Sequence, residues 1–182
     1  MNVWELRSGW VDSFAPLIVA DFDTARASLL ISDGLPKEWQ KPPSVEFLVE
    51  KRSKKQLPRA DVPALVPGAL ALSAKAKDAL GAFLSSFGQI LELDCRDEPA
   101  YYFNVTNIVD CLDREASTKR PDGSIIKEAF LADRVPSEPS VFKDPAKARS
   151  RIYVNRAGKD AIERIVAEAG LTGLEVGEPG TA

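Results

Sequence analysis

The chain contains no histidine. That absence removes the Ser–His and Cys–His nucleophile pairs and every imidazole–metal arrangement. It also removes the commonest general base at neutral pH, so an enzyme here would run on Asp, Glu, Lys, Tyr, Cys or Ser. Cysteine is scarce: Cys95 and Cys111 stand alone, without the CxxC spacing of a zinc or redox motif. They read as small buried hydrophobes in a reducing compartment. No apolar run approaches the roughly 20 residues that span a bilayer. The opening, Met1-Asn2-Val3-Trp4-Glu5, has neither the basic nor the apolar region of a signal peptide. A cytoplasmic protein with no membrane partner is expected. Basic excess is missing too: the net charge is −3, which gives no nucleic-acid footprint. The glycines are scattered and none opens a helix after a strand, so there is no phosphate loop; HExxH, GxSxG and EF-hand spacings are absent. No cofactor and no metal are expected.

What remains is an ordinary globular composition, 182 residues with 45% apolar and 28% charged. That is enough for one domain with a sizeable core. The organising stretch is residues 101–114. Tyr101, Phe103 and Val105 alternate with Tyr102 and Asn104, the pattern of a two-faced strand. The chain then turns polar around Asn107, Asp110, Asp113 and Arg114. If Asn107 caps a helical turn, Asp110 and Asp113 share one face; if the chain stays extended, Asn107, Val109, Cys111 and Asp113 do.

Strands are expected at residues 3–6, 16–20, 45–50, 89–95, 100–106, 125–131 (where a helix also fits), 151–154 and 173–176, with a short extended piece at Val141-Phe142. Ser73 should cap a helix whose apolar stripe is Ala76, Ala79, Leu80, Phe83, Leu84 and Phe87, with Gly88 stopping it. Asn155 should cap a second, with stripe Ala161, Ile162, Ile165, Val166 and Ala169, closed by Gly170. Residues 57–68 hold three prolines and read as a connector. Residues 1–64 form a strand-rich, Pro-rich N-terminal part, and 177–182 a frayed tail. Hairpins rather than βα alternation give an α+β fold: a mostly antiparallel sheet with two amphipathic helices packed on it.

Asp94, Asp97, Glu98, Asp110, Asp113 and Glu115 cluster in sequence around the 96–99 hairpin loop and the strand exit. Such carboxylates serve a hard cation, a paired-carboxylate enzyme on Asp110 and Asp113, or nothing beyond solvation and pairing with Arg96 and Arg114; the last is the commonest outcome. The basic run at residues 51–55 has no interleaved aromatics for stacking on bases. Trp39 lies between breaker segments. Such a Trp is usually pinned to a core edge and less often an interface anchor.

Residues 65–176 resemble immunity protein family eleven of bacterial polymorphic toxin systems. The resemblance rests on the Val66-Pro67 entry before the Ser-led helix and on Tyr102-Phe103-Asn104-Val105-Thr106 running into Val109-Asp110-Cys111-Leu112-Asp113. It continues through Ile152-Tyr153-Val154 and the helix ending Ala169-Gly170-Leu171-Thr172-Gly173-Leu174. The first sixty residues carry little of it. The resemblance implies an antitoxin-like role, binding a cognate toxin, without catalytic residues; an adaptor domain of a secretion system is the other non-enzymatic reading. A toxin acting on nucleic acid or nucleotides commonly has a basic cleft. Asp97, Glu98, Asp110, Asp113 and Glu115, leaving one end of a strand pair, would make one acidic patch to meet it. The Trp39 loop is the alternative docking place.

Overall fold

The computed structural model describes residues 3–9, 12–20, 29–49 and 57–179. The basic run at 51–55 lies outside them. In chain order the elements are β1 (Val3–Ser8), β2 (Leu17–Val19), β3 (Ser44–Phe47), β4 (Leu70–Ser73), α1 (Ala74–Leu84), β5 (Gly88–Cys95) and β6 (Ala100–Val105). There follow β7 (Leu112–Lys119), β8 (Ile125–Phe130), β9 (Val141–Phe142), β10 (Ile152–Asn155), α2 (Arg156–Ala169) and β11 (Leu174–Gly177). The fold is α+β, as expected, but its strands divide into a four-stranded sheet β11-β1-β10-β9, a five-stranded sheet β2-β3-β5-β6-β4 and a β7-β8 ribbon. Of the strand pairs, β3–β5 is parallel and the rest are antiparallel.

Each main sheet receives one helix. α1 lies on β4, β5 and β6, α2 lies on β10 and β1, and the two helices touch. Between them sits the main core, with Leu6, Leu70, Leu72, Leu80, Phe103, Val154 and Ile162 buried. Strand alternation sends the other faces elsewhere. Ala71, Tyr102 and Leu93 join a second core with Leu30 and Phe47. Phe142 and Tyr153 join a third with Val3 and Cys111, against which Phe130 of the ribbon packs.

Local chemistry explains the element ends. Ser73 accepts the Ala76 amide at 3.1 Å, and Asn155 accepts that of Gly158 at 2.9 Å. Gly170 closes α2 at φ 57°, a left-handed cap. Gly88 does not close α1. That helix ends at Leu84 with Ser85 as its C-cap, and Gly88 opens β5. Its glycine is needed there because a Cβ would sit 2.1 Å from the Asn104 carbonyl oxygen of β6. Two strands were not expected. β4 reads Leu-Ala-Leu-Ser between two cores, so no polar face marks its period. β7 is mostly exposed, with Leu112 and Ser117 its only buried residues, so it looks like loop. Gly177, placed at the start of a frayed tail, pairs with Glu5 in β11–β1.

Candidate functional site

The acidic residues do not form one patch. Loop 96–99 precedes Ala100, whereas segment 106–111 follows Val105, so they leave opposite ends of β6. Six residues of strand separate them, about 20 Å. The premise of a shared end fails because the exit follows the same strand that the hairpin loop enters.

At the hairpin end, Arg59 takes both acids: Nη2 lies 2.6 Å from Asp97 Oδ2 and Nη1 lies 3.2 Å from Glu98 Oε2. The guanidinium sits 4.4 Å from the centroid of the Phe47 ring. At the exit end the chain stays extended. Val109 N donates to Lys143 O at 2.8 Å and Lys143 N to Asn107 O at 2.9 Å. Val109 and Cys111 therefore face the third core, while Ile108 and Asp110 face outward. Asp110 approaches Arg134 at 3.6 Å. Asp113 Oδ1 accepts the amides of Glu115 and Ala116, each at 2.9 Å, which ties the local backbone. Glu115 is exposed on β7. Among the described residues no three Asp, Glu or Cys side chains converge as metal ligands.

Trp39 is pinned. Its Nε1 donates to Glu92 O at 3.1 Å and its ring meets Tyr102 edge-on, centroids 5.8 Å apart. It ends a segment, residues 30–39, that has almost no regular structure yet is tied along its length. Tyr102 donates its hydroxyl to Leu30 O at 2.9 Å. Ser32 Oγ donates to Gly68 O at 2.7 Å, and the Lys143 ammonium donates to Ser32 O at 3.0 Å and Ala148 O at 2.7 Å. Asn104 Nδ2 donates to Leu35 O at 2.8 Å. Gln89 accepts Lys37 N at 2.7 Å and donates to Lys37 O at 3.1 Å.

The residues that hold this segment are polar side chains of β5 and β6, Gln89, Tyr102 and Asn104, together with Lys143 just after β9. Sequence reasoning missed their role, although Asn104 and Gln89 were visible as polar interruptions of apolar strands. Lys143 is fully buried, and burial lowers its pKa to about 8. Burial likewise pushes the Tyr102 hydroxyl up to about 12, so it stays a donor.

A second buried polar group lies under the ribbon. Glu128, its side chain 1% exposed, faces Arg151 Nε at 2.9 Å and Lys147 at 4.0 Å. Arg151 also pairs with Glu5. Burial raises the Glu128 pKa against the pull of both cations. On the other side Asp144, fully buried, accepts Cys111 N at 3.0 Å and Leu112 N at 2.8 Å, fixing the base of β7.

The polar groups at the exit and along residues 30–39 bond mainly to the chain itself. Comparison with protein families gives this a context: the chain matches the Immunity protein family (Imm11) over residues 1–180 and belongs to that family. The match takes in the first sixty residues, where the sequence itself carries little of the resemblance. Comparison with curated proteins finds no match. No helix among the described residues is long and apolar enough to cross a membrane.

Proposed function

We propose that this protein is an immunity protein that binds and neutralises a cognate toxin domain of a polymorphic toxin system, acting as a binding protein and not as an enzyme. The observation that carries the reading is the family match across residues 1–180. The ion pair of Asp110 with Arg134 and the two backbone amides that Asp113 accepts agree with it. The toxin is met in the cytoplasm, so its target is cytosolic. The chain is read as a single domain, which the place of β1 between β10 and β11 of the C-terminal part supports. Of the docking residues expected from sequence, Asp110 and Trp39 belong to the exit end and the tied segment. Asp97 and Glu98 mark the competing place, and Asp113 and Glu115 the base of the ribbon.

The test is co-expression with the product of the adjacent gene. Expected are a complex that survives co-purification and rescue of cells from that product's toxicity. A neighbour that is not toxic and is not retained would overturn the reading.

A further inference from the structure

The β7–β8 ribbon pairs with no other strand among the described residues. It leaves the body and returns to it at one place. There Leu131 N donates to Cys111 O at 2.8 Å, and Asp144 accepts the amides of Cys111 and Leu112. Beside this base Phe130 meets Tyr153 edge-on, ring centroids 5.2 Å apart. Further along, Lys147 Nζ donates to Ile125 O at 3.1 Å. Between these points Glu128 is turned under the ribbon against Arg151 and Lys147, with Tyr153 of β10 facing it. Glu5 of β1 takes Arg151 from the other side. This clasp serves a carboxylate poorly. Arg151 is divided between two acids. Neither Glu128 oxygen, nor the buried Tyr153 hydroxyl, has a hydrogen-bond partner among the described residues. A buried carboxylate held by an ion pair without further hydrogen bonds does not recover its lost hydration.

We propose that the β7–β8 ribbon is a hinged flap that turns at its Cys111–Leu131 base, and that ionisation of the buried Glu128 favours its opening. Lifting the ribbon gives Glu128 back to water, where its charge costs nothing, and releases Tyr153 and Lys147 as well. Protonating Glu128 removes the same cost with the ribbon closed. The charged neighbours that face it are Arg151 and Lys147, which favour the carboxylate, and Glu5, which opposes it. Burial outweighs the two cations and raises the Glu128 pKa above its ordinary 4.5. The closed flap therefore holds a proton that the open one releases. Closure is favoured in full below the ordinary value and weakens as pH rises through the raised one. Opening also lifts Phe130 from the third core, in which Cys111 is buried. The face at the ribbon then has two arrangements for a partner to select between.

The experiment measures the flap directly. Spin labels are placed at Lys119→Cys on the ribbon and Asp160→Cys on α2, both exposed positions, in a Cys95→Ser/Cys111→Ala background. Distances are read by pulsed electron resonance at pH 5 and pH 8, with Glu128 present and with Glu128→Gln, which keeps the shape and removes the charge. A second, longer distance is expected at pH 8 with Glu128 present. It should shrink toward pH 5 and be largely lost in Glu128→Gln. The buried thiol gives an independent reading without labels. In Cys95→Ser, burial pushes the Cys111 thiol up to about 12, so it reacts from the open form. A dipyridyl disulfide should modify it about 5-fold faster at pH 8 than in Cys95→Ser/Glu128→Gln, with the ratio falling toward pH 5. One unchanging distance with Glu128 present overturns the proposal. So does a longer distance, or faster modification, in Glu128→Gln, which would mean that the Arg151 ion pair holds the ribbon down.

Discussion

Residues 30–39 and the β7–β8 ribbon invert the usual association of regular structure with rigidity. The ribbon has an antiparallel ladder from Leu112–Phe130 to Lys119–Ile125, with register shifts after Asp113 and after Thr118. Its exposed side chains, Arg114, Glu115, Thr118, Lys119 and Lys127, project away from any core, and it joins the body mainly near its base through Phe130, Glu128 and Asp144. Residues 30–39 have almost no ladder, yet side chains from β5, β6 and the 143–148 segment hold them at Leu30, Ser32, Leu35 and Lys37. The difference teaches where a fixed surface comes from. A ladder fixes strands relative to each other; anchoring side chains fix a segment relative to the core.

The sharpest way to break this contrast is Lys143→Met. It removes one buried ammonium and leaves Ser32 O and Ala148 O without their donor, for an expected loss of about 2–4 kcal/mol in urea unfolding. Hydrogen exchange should speed up at residues 30–37 and not in the ribbon. The pH dependence has a definite sign. The folded pKa of Lys143 is about 8 against 10.5 when unfolded. Between those values the unfolded chain holds the proton and the folded chain does not, so its contribution to stability rises with pH. The gap between wild type and Lys143→Met should widen from pH 7 to pH 9.5.

A smaller effect, about 1–2 kcal/mol, is expected for Gly34→Ala, where a side chain must accept positive φ. Adding Ile108→Ala should recover the steric share of that loss and leave the backbone share, as thermal melts of the three variants would read. The smallest effect belongs to the ribbon. Asp113→Ala loses the bonds to the amides of Glu115 and Ala116, at about 1 kcal/mol or less. It should loosen β7 while the exchange of residues 30–39 stays unchanged. Equal loosening of both regions would end the distinction.

The sequence made the strands with two distinct faces visible. Tyr101 to Val105 alternates between two cores, and Ser73 and Asn155 announced both helices through their capping chemistry. It hid what has no period. β4 is apolar on both sides, β7 polar on nearly all, and residues 30–39 take their shape from partners 36 to 111 positions away. The carboxylates were visible as a cluster in sequence. Their separation along β6 was not, because loop 96–99 and residues 110–115 are near in the chain but lie beyond opposite ends of one strand. Lys143 beside Val141-Phe142 gave no outward sign of burial, since a lysine is almost never fully buried without partners, and its partners come from remote parts of the chain.

β1 sits in the interior of a sheet built otherwise from the end of the chain, with Leu6 opposite both Ile152 and Val176. About 150 residues must be synthesised before β1 meets β10. At ribosomal speeds of roughly 5–20 residues per second that is a wait of roughly 8–30 s. Through that interval β1 carries two unsatisfied edges, and its Trp4 and Leu6 have no lid. β1 is made well before the strands that seal it, so chaperone capture and proteolysis of nascent chains compete with folding here.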